Sequence, residues 1–479
     1  TRITATEAEI IKYAGNVFVR NRSAGDVQFI SRGFTIVAAE GYAADGVRLY
    51  GYRRDLVAYE RVELVKGPPS AIQGRGSNSG FVNFIYKKPF FTRDSTTGKA
   101  IVGGYGDDGG FYRGEIDVNR VLNKAGTVAL RVIGVAQNSD GFLDFEKGIR
   151  TMYGLFPSLR WKIGDRTELT ANVELLRTHG PYREPGQGFT FVPAGLRRLV
   201  PGINGANNPL TSLNLPRSFN AGGDAPGLME ETGTGFVNLV SNPRKNLSLR
   251  QVVNYVRYYN RGEWWDAAGN FPVVGAGGAL TSPYTWGRDT QDRHAVTLQG
   301  DVVYKYGPAK APLTTMVGYA YSPSGVTALN YQGTPVPARF DFAHPNYNRT
   351  ITNVALSPST QSDSTAWGVY EQQQLDLLKG RLSLIGGIRR DFGDNSSRSL
   401  ISGNVSRNRS AVTSYRYGGT FKITPMVALY GVDSVQNDPT RNTAVFSLAP
   451  KGDPRLSLRQ TSTPSTHLKE GGIKGEFLN

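Results

Sequence analysis

The sequence has 479 residues, with 58 Gly, 26 Pro, 24 Tyr, 22 Phe and no Cys, and its charges sum to 55 − 39 = +16. Without cysteine there is no disulfide framework, no thiolate nucleophile and no thiolate metal site, and with 39% hydrophobic and 20% charged residues the chain can bury a core and is not disordered. No apolar run reaches the roughly 18 residues that a transmembrane helix needs, but a β-barrel is compatible with a negative mean hydropathy, because lipid-facing and lumen-facing residues alternate along its strands.

The chain opens at Thr1-Arg2-Ile3-Thr4, with no initiator Met and no signal segment. Thr4-Ala5-Thr6-Glu7-Ala8-Glu9 can cap a short helix running past Ile10, Ile11 and Tyr13. Brief strands follow over Asn16 to Asn21 and Val27 to Ser31, then a turn at Asp45-Gly46-Val47-Arg48. A strand from Tyr59 to Lys66 puts Val62 and Leu64 on one face and Arg61 and Glu63 on the other. Gly67-Pro68-Pro69-Ser70 starts a one-turn helix that Gly74 ends, and a last strand, Phe81 to Lys87, leads to Pro89. The first 90 residues therefore read as a compact α+β domain.

From about residue 97 the rhythm changes to alternating strands, predicted at 98–106, 110–119, 126–137, 149–162, 166–178, 247–260, 262–270, 291–306, 312–322, 365–378, 381–393, 411–423, 426–436 and 467–477. Their connections differ by parity. One set is short, such as Leu122 to Ala125, Gly164-Asp165, Lys379-Gly380 and Thr424-Pro425, whereas the other includes 179–246, 323–364 and 437–466, with the short hairpin at Asp107-Asp108-Gly109 as its exception. A soluble sandwich gives no reason for this segregation, whereas an outer-membrane barrel has short periplasmic turns and long extracellular loops. Within strands, Leu169, Ala171, Val173 and Leu175 alternate with Glu168, Thr170, Asn172 and Glu174, and Val296, Leu298, Gly300, Val302, Tyr304 and Tyr306 alternate with Thr297, Gln299, Asp301 and Lys305. Tyr105, Trp161, Tyr319, Tyr321, Trp367, Tyr417 and Tyr430 stand near strand ends, where interfacial girdles sit.

Five motifs of the first 90 residues carry a family resemblance: Ile30 to Phe34, Asp45-Gly46-Val47-Arg48, Glu60 to Pro68, Ile72 to Gly76 and Gly80 to Pro89. Their phrasing and order resemble the plug of TonB-dependent outer-membrane receptors of the siderophore type. Gly386 to Phe392 and Glu470 to Lys474 look like receptor barrel strands. The resemblance implies a mostly β fold, a transmembrane antiparallel barrel of about 22 strands with a plug in its lumen, divided here into a plug at 1–90 and a barrel at 91–479. About 14 strands are present, so both ends are expected to be incomplete. An open barrel edge in lipid would leave backbone groups unsatisfied.

By the same resemblance the function is TonB-coupled import of a ferric siderophore, with TonB and its inner-membrane motor, outer-membrane lipid and lipopolysaccharide as partners. Cobalamin and oligosaccharide receptors share much of the phrasing, a haem receptor is a further alternative demoted because no histidine lies in the plug, and a passive or adhesive barrel is a second class. The ligand-binding candidates are Arg32, Phe34 and Gln73 at the plug apex, and Tyr50, Tyr52 and Arg53, which with Tyr42 form an aromatic and basic segment. Many siderophore receptors carry Tyr where Gln73 stands. The structural motif residues are Arg32, Gly33, Asp45, Gly46, Arg61, Glu63, Lys66, Gly67, Pro68, Gly74, Arg75, Gly76 and Asn83. Of these, Arg32, Arg61, Glu63, Lys66 and Arg75 are expected as buried ion-pair partners of the barrel wall. No catalytic set, cofactor motif or metal spacing is present: His179, His294, His344 and His467 are scattered and none lies in the plug. A soluble basic β protein that binds nucleic acid is favoured by charge alone, without an aromatic-basic motif to support it.

Overall fold

The computed structural model describes residues 17–21, 27–31, 34–37, 41–49, 54–66, 80–104, 109–141, 144–145, 150–181, 219–220, 222–266, 273–274, 280–342, 344–437, 443–444, 461–462 and 465–475. The expected helices at 4–13 and 68–73 lie outside them.

The N-terminal part holds two small sheets. Strands β1 (Val17–Asn21), β2 (Val27–Ser31) and β3 (Phe34–Val37) form an antiparallel three-stranded sheet. Strands β4 (Tyr42–Ala44), β5 (Val47–Arg48), β6 (Tyr59–Lys66) and β7 (Gly80–Tyr86) form a second, in the order β5-β4-β7-β6, with β4 parallel to β7. Ala44 pairs with Val47 across the Asp45-Gly46 turn, whose residues both have positive φ, 44° and 83°. That is the geometry of a type I′ hairpin, and Asp-Gly is a preferred sequence for it.

Fourteen strands build one antiparallel sheet. In chain order its first seven are β8 (Ser95–Gly104), β9 (Gly110–Val121), β10 (Val128–Ser139), β11 (Arg150–Ile163), β12 (Thr167–Gly180), β13 (Gly227–Arg244) and β14 (Leu247–Asp266). Short β15 (Val273–Val274) and β16 (Leu280–Pro283) precede β17 (Thr285–Tyr306) and β18 (Leu313–Val336). Then come short β19 (Arg339–Asp341), β20 (Thr350–Leu377), β21 (Leu382–Ser399), β22 (Val405–Lys422), β23 (Val427–Asn437), short β24 (Thr443–Ala444) and β25 (Thr461–Ser462), and finally β26 (Ser465–Gly475). The strand order simply follows the chain from β8 to β26, leaving those two strands at the sheet edges.

Two expectations fail in this sheet. The strands predicted at 247–260 and 262–270 are one strand, β14, and the fourteenth strand is β13, which falls inside the predicted loop 179–246. β13 hides because Gly233 and Gly235 take outward positions while Thr232 and Thr234 point inward, so neither face is distinctly apolar. The predicted loop 323–364 is mostly strand, since β18 and β20 continue upward as polar ribbons that lack apolar alternation. Loop parity nevertheless holds: strand bounds leave 181–226, 267–284 and 438–464 on one rim and only short turns on the other. The 400–404 turn joins the first hairpin as a short connection on the long-loop rim.

The sheet is apolar outside and polar inside. Val173, Leu175, Val302, Tyr304, Val369 and Ile388 are exposed, whereas Thr170, Asn172, Glu174, Asp301, Arg389 and Asp391 are buried. Trp161, Tyr319, Tyr321, Trp367 and Tyr417 are exposed as a girdle requires, Tyr430 is half-buried with its hydroxyl on Glu470, and Tyr105 lies outside the described residues. Water would select the reverse arrangement, so the outer face is built for lipid. Among the described residues no helix is long and apolar enough to cross a membrane, which leaves crossing to the strands. The inner face packs on the N-terminal sheets: one apolar core joins Phe29, Tyr42, Tyr59 and Phe84 to Ile133, Phe156, Phe236 and Val252 of the wall.

Candidate functional site

The strongest contacts between the N-terminal sheets and the wall lie where Arg54-Asp55 enters the 3₁₀ turn Leu56–Ala58. Asp55 caps that turn by accepting from the Val57 N–H at 2.8 Å, and both its oxygens accept from Arg113 of β9 at 2.8 Å. Arg54, 1% exposed, donates at 2.6 Å to Glu174 of β12, also 1% exposed. The other Glu174 oxygen accepts from the Tyr59 hydroxyl at 2.9 Å and the Tyr86 hydroxyl at 3.3 Å. Burial opposes the Arg54 charge, yet Glu174 outweighs it and holds the guanidinium more basic than usual. Burial, reinforced by the Glu174 charge, pushes both phenols well above their ordinary range. Both ion pairs therefore lie in a site closed to water.

Further contacts extend this seam along the wall. Arg250 of β14 donates to the Asp45 carbonyl at 2.7 Å and lies 3.9 Å from Asp301; Asn254 donates to the Arg48 carbonyl at 3.3 Å. Arg131 pairs with Asp117 and donates to the Lys88 carbonyl at 3.0 Å while stacking over Phe90. Deeper in the wall, Tyr370 donates to Asp301 and lies under Arg389, which pairs with Asp391.

Five of the sequence-selected motif residues meet in one network. Gly46 N–H donates to Asn83 Oδ1 at 2.9 Å, the Asn83 amide donates to Glu63 at 2.9 Å, and Arg61 donates to the other Glu63 oxygen at 2.8 Å. The fifth, Asp45, forms the turn, and its N–H donates to the Phe84 carbonyl at 2.9 Å. The Asn83 amide, helped by Arg61, holds the Glu63 carboxyl below its ordinary value, and burial pushes Asp45 up. Arg61 and Glu63 were expected as buried partners of the wall; within this chain they pair with each other at exposed positions, because strand alternation turns their face away from the core. The buried pairs fall to Arg54 and Asp55, and the adjacent opposite charges opposite the predicted inward row Thr170, Asn172, Glu174 were the available signal. Tyr42, grouped by sequence with the aromatic and basic segment, is a core residue beside Phe29 and Phe84. Phe34 begins β3 and Lys66 ends β6. Arg32, Gly33, Tyr50, Tyr52, Arg53, Gly67, Pro68, Gln73, Gly74, Arg75 and Gly76 lie outside the described residues.

At the long-loop rim a second cluster, unforeseen in the sequence, ties several loops together. Arg349 donates to the Tyr284 hydroxyl at 2.8 Å and to the Gly222 carbonyl, and it sits 4.3 Å over Trp265. Beside it Tyr284 and Phe342 pack edge to face on Phe340, with Tyr347 tilted against the same ring, and Tyr347 donates to the Asn220 carbonyl at 2.9 Å. Burial raises the Tyr347 phenol to about 12. Residues from three connections and the end of β14 thus form a small core above the wall. Among the described residues no group of three or more His, Asp or Glu is placed to hold a metal ion.

No family model matches the sequence. The metal-pseudopaline receptor CntO of Pseudomonas aeruginosa is 25% identical over 397 residues, covering 81% of this chain and 52% of that protein. The catecholate siderophore receptor Fiu of Escherichia coli O157:H7 is 25% identical over 367 residues, 72% of this chain and 44% of that protein. The siderophore receptor PiuA from Acinetobacter baumannii superposes with a TM-score of 0.76 at 17% identity, over 99% of this chain and 68% of that structure. The chain is a relative of the TonB-dependent siderophore receptors. It spans about half the length of the curated relatives it matches. Its fold is the plugged outer-membrane barrel, and its place is the bacterial outer membrane.

Proposed function

We propose that the full protein imports a ferric siderophore or a closely related metal chelate across the outer membrane, driven through TonB. The observation that carries this reading is the seam inside the sheet: Glu174 and Arg113 hold the N-terminal sheets by fully buried ion pairs. A passive pore has no use for a polar lumen filled by side chains bonded to a second folded unit, whereas an energised importer needs a barrier that is stable yet polar enough to be released. Residues 1–90 serve as the plug and 91–479 as barrel wall. The apical candidates Arg32, Phe34 and Gln73, and the aromatic and basic Tyr50, Tyr52 and Arg53, are the residues assigned to ligand contact in this reading.

The choice of a siderophore rests on the names of the relatives, two of which are siderophore receptors and one a receptor for metal-pseudopaline. The reading assigns no enzymatic step to the chain and no nucleic-acid partner. Titration of the purified full-length receptor with ferric catecholate, ferric hydroxamate and metal-loaded carboxylate chelators tests it through tryptophan fluorescence, since Trp265 and Trp286 stand at the loop cluster. One chelate class should quench at submicromolar concentration and its metal-free form should not. Equal, weak quenching by all of them would refute the ligand assignment.

A further inference from the structure

The rim that carries the short turns has a charge pattern that the import reading does not use. Each of its six turns carries or adjoins an exposed cation: Lys124 in 122–127, Arg166 in 164–166, Lys245 in 245–246, Lys310 in 307–312, Lys379 in 378–381 and Lys422 beside 423–426. Counted with their flanks, as 120–128, 162–168, 243–248, 305–313, 376–382 and 421–427, the turns hold eleven Lys and Arg against Asp165, Glu168 and Asp376. Glu168 is already held by Arg160, and Asp376 accepts from Gln374. All eleven cations are exposed, and none of them pairs with a carboxylate among the described residues.

The rim is stiff as well as basic. Every junction between neighbouring turns carries a backbone hydrogen bond, for example from the Asn242 N–H to the Arg166 carbonyl at 2.7 Å and from the Lys422 N–H to the Arg381 carbonyl at 2.8 Å. Side chains add to this, since Arg166 donates to the Pro243 carbonyl and Arg381 to the Ile423 carbonyl at 3.0 Å. Successive turns stand two strands apart, roughly 10 Å, so the cations form an arc with a regular step. A globular acidic protein would meet two or three neighbouring turns, and a lipid headgroup would meet one. An extended polymer with one carboxylated branch on each disaccharide meets every turn in succession, because two linked pyranose rings span about the width of two β-strands. Each such contact alone is a screened surface pair of little worth, but contacts made together on one polymer reinforce one another.

We infer that the short-turn rim docks on a carboxylate-bearing glycan–peptide polymer, the peptidoglycan that underlies an outer membrane. The turn cations meet the carboxylates of its peptide branches, and the barrel is thereby tethered to the wall beneath it. Short turns are the periplasmic end of such a barrel, which places the arc on the side where that polymer lies. The inference rests on the outer-membrane location and not on the import reading, so either can fail alone.

The test mixes the full-length receptor in detergent with purified peptidoglycan sacculi and measures the fraction that sediments with them. Sacculi whose carboxyls have been converted to neutral amides should bind at least tenfold more weakly, about 1.4 kcal/mol. Raising salt from about 0.1 to 1 M, which shortens the Debye length from about 10 to 3 Å, should release the receptor from native sacculi. The triple variant Lys124→Gln, Lys245→Gln, Lys310→Gln should lose at least tenfold with the circular dichroism of the parent, since these exposed side chains make no hydrogen bond or ion pair among the described residues. Arg261→Gln, Arg398→Gln, Arg407→Gln removes as many charges from exposed positions toward the other rim and should leave sedimentation unchanged. Equal binding to the amidated sacculi would overturn the proposal, as would an equal loss in both triple variants or no loss in the first. Displacement from sacculi by phosphatidylglycerol micelles at equal charge concentration would overturn it too, and would assign the rim to lipid headgroups.

Discussion

Replacing Glu174 by Gln tests the seam at its centre. The carboxylate accepts from Arg54, Tyr59 and Tyr86 at 2.6, 2.9 and 3.3 Å, and Arg54 is 1% exposed, so the variant leaves a buried guanidinium without its counter-charge. Such a break typically costs about 3–5 kcal/mol. With a urea dependence of about 2 kcal/mol per molar, the midpoint for releasing the plug should fall by about 1.5–2.5 M. Because the chain has no Cys, a single Ala58→Cys reporter, buried in the native state, gives a clean readout through thiol labelling in urea. Glu174→Leu combined with Arg54→Met removes both charges and should recover most of the loss, since replacing a buried pair by apolar side chains is often neutral. A Glu174→Gln midpoint equivalent to within about 0.5 kcal/mol of the parent would show that the pair does not hold the plug.

Glu63 is held below the ordinary 4.5 by Asn83 and Arg61. Its contribution is therefore complete above pH 4.5 and is lost as pH falls below it; the stability difference between the parent and Glu63→Gln should shrink over that window, and a constant difference from pH 7 to 3 would contradict the network. Gly46→Ala places a side chain at a φ of 83° and should cost about 1–2 kcal/mol, read as faster hydrogen exchange at the Asn83-bonded Gly46 amide's neighbours on β4 and β5. Arg349→Ala removes the charged donor from Tyr284 and Gly222; opening of 222–226 and 344–349 should become about 2 kcal/mol easier, roughly 30-fold in exchange rate, with no change in β12.

What the sequence made legible follows from its periodicities. The Asp45-Gly46 hairpin, the faces of β6 and the alternation in β12 and β17 are local properties, so residues such as Val173 and Glu174 could be assigned to opposite faces in advance. β13 was hidden because its outward glycines erase the apolar face, and the upper halves of β18 and β20 because polar ribbons above the lipid have no face to reveal. Which charges would be buried is a tertiary fact. Arg61-x-Glu63 looks as suited to a lumen as Arg54-Asp55, and only the docking of the Leu56–Ala58 turn on β9 and β12 separates them. The Arg349 cluster was illegible for a similar reason: Trp265, Tyr284 and Phe340 come from distant segments that meet only once the loops close.

Import itself is the most direct measurement. Cells expressing the full-length receptor and lacking other siderophore receptors should accumulate labelled iron from the ferric chelate that quenches fluorescence, only when TonB and an energised inner membrane are both present. Accumulation at the same rate after TonB is deleted would contradict the account and make the protein a passive pore.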